Sequence, residues 1–390
     1  MTVVLAGYAR TPFVKFLGFF ANLSAIDLGA HAIRAALADA GVAADQVDAV
    51  IAGHVLQAGL GQNTARQSAV AAGIPLTTPA ITINAVCLSG TQAVADAVRL
   101  IASGDARIVV VVGQESMTNA PHVMAGSRKG TKYGAIELID TMEIDGLTDA
   151  FQKRSMGLST EEANSPLGLT RQDQDEVAAA SHQRASAEAE FVRGEVTPVS
   201  VLIGRTETVV STDDGIRPET TVESLGALRP AFSKEGTITA GNSSQISDGA
   251  AALVFMSSET AAQVNVTPLA EVLATAFVAG PDVTLHSQPA NAISRAATTA
   301  SVSISDLVAI EINEAFAAVS VQSTRDLGVN PDIVNATGGA IAIGHPIGAS
   351  GARIVGHLAR RLAREGAGSI GAAGICGGGG QGSAVILRAL

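Results

Sequence analysis

One pattern occurs twice in this 390-residue chain, and a pattern written twice has to fold twice. Val47 to Ala52 is a short apolar run of strand type, and Leu307-Val308-Ala309-Ile310-Glu311-Ile312 takes the corresponding place in the second half. Ile83-Asn84-Ala85 is likewise answered by Val334-Asn335-Ala336. The spacing predicts a strand at Val3 to Ala6, an amphipathic helix over Ile26 to Ala40 closed by Gly41, and a strand buried on both faces at Ala106 to Val112. The second half adds a helix over Ala352 to Glu365 and strands at Ser369 to Cys376 and Gly382 to Leu387. Strands alternating with helices give an open α/β sheet, and a duplication gives two such units. Ligands of these sheets bind where the carboxyl ends of the strands face a crevice.

Between the halves the pattern breaks. From about Asn119 to Ser247 the chain is polar and irregular, with basic residues Arg128, Lys129 and Lys132 and helical pieces around Arg171 to Arg193. A compact α/β core rarely needs so long a connection, so the segment reads as an inserted lid or substrate-binding domain. Residues 1–118, with 248–267 returning to them, then form one half, 119–247 the insertion and 268–390 the other half.

Composition narrows the partners. A net charge of −11 gives no basic surface for nucleic acid. Two cysteines make no disulfide framework, and no Cys-x-x-Cys or clustered histidines suggest a metal. No charged n-region precedes an apolar stretch at the start, and no apolar run reaches the length of about 18 residues needed to span a bilayer. A cytoplasmic protein is expected.

Four stretches carry the chemistry. In Asn84-Ala85-Val86-Cys87-Leu88-Ser89-Gly90 a cysteine sits where the extended segment Ala80 to Asn84 gives way to a helix. Backbone N–H groups and the helix dipole there favour a thiolate, although a cysteine packed in the core fits the same pattern. Asn313 follows a strand and either orients a ligand or caps its helix. His345 lies between glycines, and Cys376 precedes Gly377 to Gly380, whose N–H groups are free to stabilise an oxyanion. A phosphate loop is the weaker reading of those glycines, since no Gly-Lys-Ser/Thr follows.

Over essentially its whole length the chain resembles the thiolases, the acetyl-CoA acetyltransferase and 3-ketoacyl-CoA thiolase family. Val86-Cys87-Leu88-Ser89-Gly90, Asn313-Glu314-Ala315-Phe316, Gly344-His345-Pro346-Ile347-Gly348 and Cys376-Gly377-Gly378-Gly379 occur in the family's order and spacing. The resemblance implies two α/β halves in five layers, α-β-α-β-α, with an inserted loop domain. It implies acyl transfer between acetyl-CoA, acyl-CoA and CoA in fatty-acid metabolism, with no metal or redox cofactor. Cys87 would carry the acyl group and His345 would take its proton. Cys376, a thiol of near-neutral pKa, would move the α-proton. One oxyanion site would join His345 to a water on Asn313, and the other would use the N–H groups of Cys87 and Gly378. Arg217 and Ser224 would hold the nucleotide end of CoA and Ser244 the pantetheine, with Met156, Phe232, Ala240 and Phe316 along the tunnel. Gly61 to Gln67 resembles the family's dimer segment and Gly126 to Gly146 the loop joining dimers, so a homodimer or homotetramer is expected. Three departures lie near the tunnel: Ser155 where histidine is usual, Gln245 where glycine is common, and Val283 to Gln288 without the usual Met-Gly-x-Gly-Pro. A decarboxylating condensing enzyme, a silent acyl-CoA or lipid-binding relative and a dinucleotide enzyme are the alternatives. The retained Cys87, His345 and Cys376, and the lack of Gly-x-Gly-x-x-Gly after the first strand, count against them.

Overall fold

A computed structural model describes all residues, 1–390. The first half runs β1 (Val3–Arg10), α1 (Ala25–Ala40), β2 (Ala49–Gly53), α2 (Thr64–Ala71), β3 (Ala80–Ile83), α3 (Ser89–Ser103) and β4 (Ile108–Ser116). The excursion that follows carries α4 (Met156–Asn164) and α5 (Arg171–Ala187) and adds no strand to the main sheet. The chain returns as β5 (Ser247–Ser257) and continues with β6 (Ala270–Ala279), α6 (Gln288–Ala300), β7 (Leu307–Ile312), α7 (Ala317–Leu327), α8 (Ile347–Glu365), β8 (Ile370–Gly377) and β9 (Gln381–Ala389).

Local chemistry sets these boundaries. Ser24 and Asp27 form a capping box at the start of α1, and Gly41 ends it at φ +66°, a conformation that costs glycine least. The nine residues of β4 are all buried, which is why Ile108 to Val112 are apolar without alternation.

The strands join in the order β7-β8-β9-β6-β1-β5-β4-β2-β3, with Val14–Lys15 pairing onto β5 as a tenth strand. The two half-sheets are joined only where Val4 and Leu5 pair with Glu271 and Ala270. At so short a seam the sheet folds back, and α3 and α8 pack between the two half-sheets. Helices α1 and α2 cover one outer face, α6 and α7 the other, giving five layers. The largest core cluster lies in the middle layer, where Val94 and Ile354 meet Val111 of β4 and Ile375 of β8.

The duplication is visible in the register. Strand β2 pairs in parallel with β4, and its counterpart β7 pairs in parallel with β8. The counterpart of β3 in the second half has shrunk to one parallel bridge between Ile310 and Val334.

The central helices cross backbone to backbone. A Cβ on Gly90 would lie 2.5 Å from the nitrogen of Ala352, and one on Gly351 would lie 2.4 Å from the nitrogen of Thr91. Only glycine permits that approach. Because both crossing points lie near helix N-termini, the segments that lead into α3 and α8 are brought together. Those segments hold Cys87 and His345.

Candidate active site

Cys87 sits on a tight turn between β3 and α3. Val86 N–H donates to Asn84 Oδ1 at 3.0 Å, and Ser89 Oγ donates to the Val86 carbonyl at 2.6 Å while accepting from Ala85 N–H at 2.9 Å. The turn holds Val86 at φ +52°, a left-handed conformation that costs a β-branched residue about 1–3 kcal/mol. The N–H groups of Cys87 itself and of Gly378 point at the Cys87 sulfur. A glycine from the second half thus completes a two-donor site on a residue of the first.

The thiolate expected from the helix start is not the resting state. Burial, with help from the nearby Glu115 carboxylate, pushes the Cys87 thiol up to about 12 against the lowering effect of the two N–H groups. Desolvation of the charged sulfur outweighs the helix dipole here. Cys376 departs from its expected near-neutral value in the same direction: burial raises it first, and charge on Cys87 raises it again. The two sulfurs are close enough to feel each other, and both rest as thiols.

His345 is 7% exposed, and its pKa falls to about 4 because burial and then the Arg353 cation disfavour imidazolium. Its tautomer follows from Ser350. That hydroxyl donates to the Pro346 carbonyl at 2.9 Å, so it accepts from His345 Nδ1–H at 2.6 Å and leaves Nε2 with its lone pair. Asn313 Nδ2 lies 3.4 and 3.5 Å from the two ring nitrogens, and its buried Oδ1 has no protein partner. Asn313 does not cap a helix, since α7 begins at Ala317. Its loop is held instead by Asn335, which bonds Ile312 N–H, the Ile312 carbonyl and Glu314 Oε1 at 2.9, 2.8 and 2.9 Å. Cys376, near the end of β8, packs on Leu285, Ala315 and Val319 beside Met156 and Phe316.

A cavity of about 340 Å³ opens onto this group. Cys87, His345, Met156, Phe232, Ser244 and Phe316 line it, together with Ser155 and Gln245. Arg217, Ser224 and Ala240 do not; all three are exposed on the excursion. Arg217 N–H donates to His182 Nδ1 at 3.2 Å, and burial with the Arg217 charge holds His182 neutral at about 4. Ser224 Oγ donates to the Thr221 carbonyl at 2.9 Å in a capping box. The departures have structural uses. Ser155 caps α4, accepting from Leu158 N–H at 3.2 Å. Gln245 Nε2 donates to the Gly215 and Ile341 carbonyls at 3.2 and 3.4 Å, while His286 bonds Asn164 Oδ1 at 2.8 Å.

Two residues of the site escaped sequence reasoning. Ser350 is one of many small residues in an apolar helix, and only its i to i−5 contact with His345 distinguishes it. Glu115 is fully buried and accepts from Val55, Leu56 and Gly348 N–H at 3.2, 3.1 and 2.9 Å, tying the His345 loop to the β2 end. A glutamate closing an apolar strand is the signal that could have found it.

The thiolase N-terminal domain model matches residues 3–259 and the thiolase C-terminal domain model residues 266–389. The chain belongs to the thiolase family. This thiolase is 52% identical to a probable acetyl-CoA acetyltransferase of Mycobacterium leprae across all of both chains. It is 45% identical to an acetyl-CoA acetyltransferase of Rhizobium meliloti, covering 100% of this chain and 99% of that one. Its fold superposes on human mitochondrial 3-ketoacyl-CoA thiolase with a TM-score of 0.94 at 36% identity, covering 100% and 98% of the chains. It matches the Acat5 thiolase of Ascaris suum, solved with coenzyme A, with a TM-score of 0.92 at 35% identity over all of both chains.

Proposed function

We propose that this thiolase transfers acyl groups between CoA thioesters by reversible Claisen condensation and thiolysis. The reading is carried by one observation: a neutral imidazole with a free Nε2 and a thiol facing two N–H donors open on the same cavity, with a second thiol beside them. Cys87 attacks the thioester carbonyl as His345 Nε2 takes the thiol proton, so no thiolate need persist in the resting enzyme. The carbonyl oxygen meets the N–H groups of Cys87 and Gly378, and CoA leaves as the thiol with that proton. In condensation Cys376 gives its thiol proton to the neutral His345 and, as a thiolate, accepts a proton from the α-carbon of acetyl-CoA, while the enolate oxygen faces His345 and Asn313. The enolate carbon attacks the acyl-Cys87 carbonyl and releases Cys87 sulfur, to which His345 returns its proton. Thiolysis is the reverse. The bonds balance without a metal or an external oxidant.

Ser244, Met156, Phe232 and Phe316 would enclose the pantetheine and acyl portions, with Ala240 at the mouth. Arg217 and Ser224 would meet the nucleotide end outside, where an acidic protein needs a local cation for a phosphate. Incubation with acetyl-CoA is expected to add one acetyl group on the peptide containing Cys87. An adduct elsewhere, or none, overturns the assignment.

We also propose a homotetramer, and a role in fatty-acid metabolism that goes with the chemistry. Strand β3 is an open sheet edge with Ile81 56% exposed, and Leu76 next to it is 68% exposed. Two such edges paired about a two-fold axis would cover each other. Tyr133, Ile136 and Leu138 stand exposed on the 126–146 loop and would join one dimer to the next. Sedimentation at the mass of four chains is expected; a monomer at micromolar concentration contradicts the pairing. No helix is long and apolar enough to cross a membrane.

A further inference from the structure

Helix α8 opens two residues after His345 and has no cap of its own. The residue ahead of it is Pro346, which brings no side-chain acceptor, so the N–H groups of the first turn need a partner from elsewhere. Glu115 supplies one from the other half of the molecule, where its Oε2 accepts from Gly348 N–H at 2.9 Å. A carboxylate at that place also meets the positive end of the helix dipole.

Strand β4 explains the reach. Val109, Val111, Gly113 and Glu115 alternate onto the same face, and Val109 and Val111 belong to the central core cluster. At Gly113 the start of α8 comes so close that a Cβ would lie 2.6 Å from the Gly348 carbonyl oxygen. A Cβ on Gly348 would in turn lie 2.9 Å from the carbonyl oxygens of Gln114 and Gly53. Gly348 is thus wedged between the ends of β4 and β2, and Glu115 closes over it. The carboxylate is itself held, with Leu56 and Val55 N–H donating to Oε1 and Oε2 at 3.1 and 3.2 Å and His54 Nε2 lying 3.3 Å from Oε1. Thr64 Oγ1 steadies the far side of that ring, 2.9 Å from Nδ1. Glu115, His54 and Thr64 are all buried. An apolar side chain would fill this space without the cost of burying a carboxylate, so the group here answers a need of geometry.

We propose that Glu115 is a positioning residue for acyl transfer: it caps α8 across the two halves and thereby sets His345 Nε2 at working distance from the Cys87 sulfur. The inference rests on the acyl-Cys87 reading above. Nucleophile and base belong to different halves, so contacts between the halves fix their separation, and a displacement of about 1 Å can cost about 10²-fold in rate. Ser350 orients the imidazole ring, whereas Glu115 decides where the ring stands. Glu115 does not line the 340 Å³ cavity, so it acts through His345 and not on the substrate.

The same carboxylate acts on Cys87 a second time, because its charge disfavours the thiolate. Loss of the charge and loss of the cap therefore push the nucleophile in opposite directions. The other titratable groups around the sulfur are His345, ahead of α8, and Cys376, on β8; neither bonds to Glu115.

Two variants separate these effects. Glu115→Gln keeps the size, removes the charge and turns an amide N–H toward the donors; Glu115→Asp keeps the charge and is one methylene short of Gly348. Both are expected to lower kcat for acetoacetyl-CoA thiolysis and the rate of Cys87 acetylation by about tenfold or more, with KM within about threefold. Alkylation of Cys87 by iodoacetamide at pH 8 is expected to rise by about threefold or more in Glu115→Gln, the effect of about half a pH unit on the thiolate fraction, and to stay within about twofold in Glu115→Asp. A smaller loss of kcat, a loss carried by KM, or alkylation that changes alike in both variants overturns the proposal, since a merely loosened fold would expose the sulfur equally in the two. If melting shows neither variant folded at the assay temperature, Thr64→Val, which withdraws only the partner of His54, takes their place. A fall in kcat of about two- to fivefold at constant KM then supports the cap, and an unchanged kcat overturns it. Absence of acetylation and thiolysis in the unaltered enzyme would instead overturn the acyl-transfer reading. The alkylation contrast needs no thioester, so in that event it still decides for or against Glu115.

Discussion

A Cys376→Ser variant is expected to accept an acetyl group on Cys87 at nearly the normal rate while losing carbon–carbon bond exchange by about 10²–10⁴-fold, the usual contribution of a positioned acid or base. The separation follows from the geometry. In the proposed mechanism the attack on the thioester uses Cys87, His345 Nε2 and the N–H groups of Cys87 and Gly378, and none of these is held in place by the Cys376 side chain. The sulfur of Cys376 instead packs on Leu285, Ala315 and Val319, with charge on Cys87 as its electrostatic neighbour. Serine is close to isosteric, so the site should keep its shape, but a hydroxyl is a much weaker acid than a thiol and cannot hold the α-proton as a shared intermediate. Peptide mass after exposure to acetyl-CoA reads the first step, and thiolysis of acetoacetyl-CoA reads both. Equal loss of the two steps would mean that Cys376 acts on Cys87 and not on the α-carbon. A hydroxyl placed in an apolar cluster costs stability as well, so thermal melting must show the variant folded at the assay temperature.

The paired thiols also show why acylation needs a base in contact instead of a pre-formed thiolate. With Cys87 raised to about 12 and His345 lowered to about 4, the neutral pair is the stable one across the physiological range. Keeping the sulfur protonated until a thioester arrives limits its reaction with other electrophiles, since the thiolate is the reactive form.

How much of this was legible beforehand depends on the range of the interaction concerned. The strands were, because β4 and β7 declare themselves within a few residues, and so was the repeat, because Val334 keeps its place even after its strand has shrunk to one bridge. The convergence of Cys87, His345 and Asn313 on one site could be inferred from their motifs. Their protonation could not. A helix N-terminus is a local feature that argues for a thiolate, whereas burial is a property of the whole fold, and here burial wins. Ser350 and Glu115 were missed for a related reason. Glu115 acts on Gly348, 233 residues away, and no local pattern records that pairing. The excursion was recognisable only as a break in the pattern, since it is held by side-chain hydrogen bonds such as those from Thr237 and Ile238 N–H to Glu161 at 2.8 and 2.7 Å. Periodicity cannot reveal contacts of that sort.

That excursion is anchored to the sheet by buried charge, and cutting the anchor should be the most damaging single change to stability. Arg10, at the end of β1, is fully buried. Its Nε donates to Glu195 Oε1 at 2.6 Å, its Nη1 and Nη2 donate to the two oxygens of Asp213 at 2.7 and 2.8 Å, and Nη1 reaches the Thr11 carbonyl at 3.2 Å. The other oxygen of Glu195 bonds His357 Nδ1 at 2.8 Å. Although burial raises the Glu195 pKa, the His357 and Arg10 charges outweigh it and bring it down to about 2. Arg10→Ala would leave Asp213 in the interior without its cation and Glu195 with His357 alone, and breaking a buried pair in this way costs about 3–5 kcal/mol. The expected result is a matching fall in urea stability, with a smaller one for Arg10→Lys, which keeps the charge and loses the fork. Because the folded pKa of Glu195 is depressed, its contribution is fully present above the unfolded carboxylate value and fades as pH falls toward 2. The loss on Arg10→Ala should therefore be the same at pH 6 and pH 8. A triple variant, Arg10→Met with Glu195→Gln and Asp213→Asn, removes the stranded charges and should recover part of the loss. If Arg10→Ala costs less than about 1 kcal/mol, or if the triple variant is no more stable than the single one, the excursion is held by its hydrogen-bonded turns and not by this cluster.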